Sequence, residues 1–95
     1  MNVLYAITFP AEPDRIDRVR ASIEQCLDAS PLDPATHADL ARAAAALLAL
    51  AREWADDGGT LAVRVEATAD AYAITIDRTL ANGATRTLAA RRTTP

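Results

Sequence analysis

Lysine is absent from this chain. All ten basic residues are arginine, set against thirteen acidic ones for a net charge of −3. Cysteine occurs once, at Cys26, which excludes an internal disulfide and any zinc site built from several thiolates. Histidine also occurs once, so imidazole chemistry has His37 as its single candidate. Aromatic side chains make up 4% of the residues, and the core must therefore be aliphatic. No stretch approaches the roughly 20 apolar residues of a membrane span. The longest uncharged apolar run, 43–51, is too short. Residues 1–10 lack a basic segment followed by a long apolar one, so they do not read as a signal peptide. These absences set the expectation of a cytoplasmic protein that does not enter a membrane.

Apolar side chains are plentiful. At 51% hydrophobic the sequence is not that of a disordered chain. Its 95 residues suit one domain, able to bury about two-thirds of its unfolded surface. We expect a single small α/β domain over 1–95, with 91–95 frayed. Arginine as the only basic residue, together with abundant alanine, is the mark of a GC-rich bacterial genome. Charge is unevenly spread: after Asp77 there is no acidic residue, while Arg78, Arg86, Arg91 and Arg92 follow.

The periodicities give an order of elements. Val3, Tyr5, Ile7 and Phe9 alternate with other residues, which predicts a strand with one strongly apolar face, ended by Pro10 and Pro13. Ile16, Val19, Ile23, Cys26 and Leu27 then fall on one helical stripe, with Asp14 as the expected N-cap and a stop near Ala29. Asp33 and Pro34 suit the start of a second helix. Its stripe is Leu40, Ala44, Leu47, Ala51 and Trp54, widened by Leu48 and Leu50, and Gly58-Gly59 should end it. Leu61, Val63 and Val65 alternate in one further strand; Tyr72, Ile74 and Ile76 do so in another. Asn82-Gly83 signals a two-residue hairpin into a weaker strand near Thr85 to Ala90. The expected fold is α+β, ordered β-α-α-β-β-β. Two helices would pack on one face of a mainly antiparallel four-stranded sheet.

Several phrases in this order resemble the GHKL ATPase fold, in its anti-sigma-factor and serine-kinase branch. They are Phe9-Pro10-Ala11 at the end of the first strand, Val19-Arg20 with Ile23 and Leu27, Leu40-Ala41 with Ala49, the Gly59 to Val65 strand and the Tyr72 to Asp77 strand. The resemblance spans about Ile7 to Asp77 and consists mostly of core pattern. It would imply ATP and magnesium, with a glutamate as general base and an asparagine holding the magnesium, at positions that here are Ala44 and Leu48. Alkyl groups neither ligate a hard cation nor accept a proton. Asp77 could match the aspartate that reads adenine, but Arg78, Thr79 and Leu80 follow it where the family has a glycine-rich turn. The expectation is a degenerate relative with no cofactor, no metal and no catalytic activity.

His37 sits at a helix start with no nucleophile motif nearby, and Cys26 reads as a small core hydrophobe. Asp56-Asp57 near Glu53 reads as solvated surface. Arg78 and Arg86 would face one another across the last hairpin, where like charges cost energy unless an anion intervenes. Arg78, Arg86, Leu88, Arg91 and Trp54 are therefore the expected partner-binding residues, on a hairpin edge open to another chain. The functional expectation is a non-catalytic, protein-binding regulatory module of a bacterial signalling or defence assembly, as a homodimer or beside another protein. One alternative is an ATP-binding anti-sigma-type regulator or serine kinase. Another is binding of nucleic acid or a different anionic partner through the Arg-rich hairpin. The negative net charge and the lack of aromatics there disfavour nucleic acid.

Overall fold

Two helices separate the first strand from the second, and an even number of helices decides how those strands pair. The computed structural model describes residues 1–53 and 58–92. Its elements are β1 (Asn2–Pro10), α1 (Pro13–Asp28), α2 (Pro34–Arg52), β2 (Thr60–Ala67), β3 (Tyr72–Thr79) and β4 (Thr85–Arg92). The helical pair carries the chain away from the end of β1 and back to it, so β2 enters antiparallel to β1. Ala11 N donates to Gly59 O at 3.0 Å where the chain returns. At the far end Asp33 N donates to Ala69 O at 2.9 Å, fastening the link between the helices to the β2–β3 turn. The sheet order is β1-β2-β3-β4, antiparallel throughout. This is the expected α+β architecture.

The helices cover one face. Ile16, Val19, Ile23 and Leu27 of α1, with Leu40, Ala44, Leu47, Leu48 and Ala51 of α2, close over Leu61, Val63, Val65, Tyr72, Ile74 and Ile76. The α2 stripe also runs one turn further back than its apolar residues indicate, to a buried Thr36. Leu50 does not widen it: it is 46% exposed, on the side of α2 turned from the sheet. The N-cap of α1 is Glu12 rather than Asp14, with Pro13 in the first turn, where its missing N–H costs no helical hydrogen bond. At the other end Ser30 Oγ donates to Cys26 O at 2.6 Å and satisfies a carbonyl the helix leaves open. α2 ends at Arg52 with Glu53 as its C-cap, earlier than the expected stop at Gly58-Gly59; residues 54–57, which include Trp54, lie outside the described residues.

Two details of register differ from expectation. β1 is not a uniform alternation. A bulge between Val3 and Tyr5 places Tyr5 opposite Val65 but Val3 opposite Glu66. One extra residue reverses the sense of alternation, so Val3 faces away from the helices and is 48% exposed. The last hairpin is closed by a three-residue loop, 81–83. Leu80 N donates to Ala84 O, Gly83 N returns to Leu80 O, and Gly83 has φ 87°. That is a turn followed by a left-handed residue, a form glycine accepts without strain.

Candidate functional site

The fold divides the expected partner-binding residues between two sides of the sheet. Arg78 and Arg86 are directly opposite one another, a pairing that depends on the three-residue loop, since a two-residue turn would set Arg78 opposite Thr87; Leu88 lies opposite Ile76. Arg78, Arg86 and Leu88 share the helix-covered side, where Leu88 is half-buried against the core. Arg91 lies opposite Ala73 and points to the uncovered side. Trp54 and Asp56-Asp57 lie outside the described residues. Arg92 is held by its own fold: Nη1 lies 3.6 Å from Asp39 Oδ2 and donates to Ala35 O at 3.5 Å, joining β4 to the start of α2.

Asp39 gathers a small polar cluster. It accepts a hydrogen bond from Tyr72 Oη at 3.1 Å and also lies 3.8 Å from Arg42. Burial raises the Tyr72 phenol above its ordinary value of 10.0, and the hydrogen bond and charge of Asp39 raise it further. Arg92 and Arg42 act in the opposite sense. His37 Nε2 is 3.0 Å from Asp28 Oδ1, bridging the end of α1 and the first turn of α2. Arg52 pairs with Asp17 between the same helices. Apart from Asp39–Arg42 within α2, these contacts join elements to one another, so their geometry is that of structural clasps. Among the described residues no group of three or more His, Cys, Asp or Glu side chains is placed to hold a metal ion. No helix there is long and apolar enough to cross a membrane.

The positions singled out by the ATPase resemblance are also separated. Ala44 and Leu48 are core residues, 3% and 2% exposed. Asp77 lies on the opposite side of the sheet, where it accepts a hydrogen bond from Thr87 Oγ1 at 2.6 Å.

A second surface was not singled out by sequence reasoning. β1 is an edge strand, and Met1, Val3 and Ile7 are among the most exposed large apolar side chains of the fold. Beside it runs a cleft lined by Tyr5, Ile7, Phe9 and Val19, with Arg15, Arg18 and Ser22 along α1. The available signal was the absence of any charged side chain before Glu12. It marks a strand free of the charges that usually blunt a sheet edge. The sheet's uncovered face is made of small and polar residues, including Ala6, Thr8, Ala62, Thr75 and Thr87.

No protein family, no curated protein and no solved structure matches this chain.

Proposed function

We propose that this chain is a non-catalytic protein-binding module that regulates a partner by docking to it. The observation that carries this reading is the unguarded β1 edge: an uncharged strand with Val3 and Ile7 exposed, at the border of a four-stranded sheet. An open edge offers a row of backbone donors and acceptors to another chain, and apolar side chains beside it supply area that loses water on contact. The burial of Ala44 and Leu48 supports the same reading. It puts alkyl groups where the ATPase-like pattern would need an acid and an amide. The GHKL-like phrases then describe a way of packing two helices on a sheet, without the nucleotide chemistry. The setting we propose is a bacterial signalling or defence assembly.

The test is a native mass measurement on the tagged chain recovered from its own host at natural abundance. We expect a species heavier than the 10.1 kDa chain by the mass of a defined partner. In parallel, millimolar ATP with magnesium should leave the thermal midpoint unchanged, since a ligand bound only by the native state must raise it. A chain recovered only at its own mass, or one stabilised by the nucleotide, defeats this reading.

A further inference from the structure

We propose that the cleft between β1 and α1 takes an extended, acidic segment of a partner protein, which adds to the sheet as a fifth strand beside β1. This rests on the protein-binding reading above and names the chemistry of the partner.

The sheet has two edges, β1 and β4. β4 carries Arg86, Arg91 and Arg92, and charged side chains of this kind deter strand addition. Arg92 is further committed to Asp39 and Ala35. β1, from Asn2 to Pro10, carries no charge at all.

The choice of occupant follows from the cleft's lining. Its floor is apolar: Tyr5, Ile7 and Phe9 from the strand and Val19 from the helix. Ile7 stands opposite Val63 on the helix-covered side of the sheet, yet is 39% exposed, because α1 does not reach over the outer border of β1 there. A strand laid beside β1 turns every second side chain into this space. The wall is Arg15 and Arg18, both exposed. Among the described residues neither makes an ion pair, whereas Arg20, Arg42, Arg52, Arg64 and Arg92 do, and Asp14 sits only one turn before Arg18. Two guanidinium groups with no carboxylate partner among the described residues, set over an apolar floor, complement a segment that alternates apolar and acidic residues. The apolar side chains enter the cleft and the carboxylates meet Arg15 and Arg18 at its rim. A second copy of this chain is the weaker fit. Two-fold pairing of β1 with β1 supplies no carboxylate from either strand, and it brings the Arg15–Arg18 walls of the two copies to the same seam.

The experiment selects from a displayed library of random nine-residue peptides, the length of β1, against the full chain. It repeats the selection against the Arg15→Glu/Arg18→Glu double variant. Both positions are exposed, so the variant should keep its fold, which circular dichroism verifies. We expect enriched peptides that alternate β-branched or aromatic residues with Asp or Glu. They should bind the variant at least tenfold more weakly and perturb the backbone amide resonances of Ala6, Ile7 and Thr8. Enriched peptides without acidic residues, or binding indifferent to the double reversal, overturn the acidic-strand proposal and leave the protein-binding reading standing. Failure to enrich any peptide, together with a host complex unaffected by the double variant, also overturns this site alone. No peptide and no host complex defeats both. A two-chain species in light scattering that Ile7→Arg converts to one chain identifies a second copy as the occupant and overturns the partner assignment.

Discussion

Tyr72 shows how one side chain ties a sheet to a helix. Its ring belongs to the core, while its hydroxyl reaches Asp39 on α2 at 3.1 Å. Burial, first, and then Asp39 hold the phenol neutral to higher pH than in the unfolded chain. A folded value raised above the unfolded one contributes stability that is complete below the unfolded value. That contribution is lost as pH rises through the folded one. Wild-type stability should therefore fall as pH climbs from about 10 through the raised value, with the arginines still charged. Tyr72→Phe should cost about 1 kcal/mol at neutral pH for the lost hydrogen bond. It should also remove this component of the alkaline decline, so the two proteins converge in strong base. Urea titrations at several alkaline pH values test this; parallel declines would show that Tyr72 is not the responsible group. Gly59 is constrained differently: an added Cβ would come within 2.5 Å of the Thr79 carbonyl oxygen, so the close approach of the β2 start to β3 excludes a side chain.

At the scale of elements, the β3–β4 hairpin is set by a single residue of loop length. A two-residue Asn82-Gly83 turn would pair Ala81 with Ala84 and place Leu88 opposite Asp77, on the uncovered face. The three-residue loop instead places Leu88 opposite Ile76 and Ala90 opposite Ile74, over the core. A slip of one residue exchanges faces along the whole strand, and burial of Leu88 and Ala90 selects against it. Asn82 Oδ1 accepts from Ala84 N at 3.0 Å, and Gly83 supplies the left-handed residue. Gly83→Ala meets no neighbouring atom, so its cost is conformational, about 1–2 kcal/mol. The expected result is a lower urea midpoint with unchanged slope. A midpoint equal to wild type would mean the loop adopts another turn at no cost.

For the whole molecule, the deciding feature is that two helices cover one side of a four-stranded sheet and leave its other side and both edges open. β4 is blunted by arginines and β1 is not, so the border near Val3 and Ile7 is the natural place for contact, intended or otherwise. Val3 faces away from the helices and the cleft. Val3→Lys should therefore leave stability within about 0.5 kcal/mol, as at most surface positions. It should also slow aggregation on heating, because the edge strand gains a charge. Light scattering during a thermal ramp checks this, and equal aggregation in the two proteins would place the sticky surface elsewhere.

Much of this architecture was legible in the chain itself. Periods of two and of 3.6 in the apolar residues specify β-α-α-β-β-β, because each period has one backbone shape that gathers those side chains on a common face. The same patterns identify the core of α1, β2 and β3, and Asn82-Gly83 marks the hairpin, but the extra loop residue that brings Arg78 opposite Arg86 is decided by burial of Leu88 and Ala90. Local pattern does not carry information about which strands lie at the border. β1 reads as a core strand from Val3 to Phe9. Only the sheet order, the bulge after Val3 and the lateral reach of α1 expose Val3 and Ile7 and open the cleft toward Arg15 and Arg18. For the same reason Arg91 parts from Arg78 and Arg86, since strand alternation puts them on opposite faces of the sheet. Sequence periodicity thus settles what each element buries. Exposure at an edge depends on neighbours distant along the chain, so the tertiary structure alone decides it.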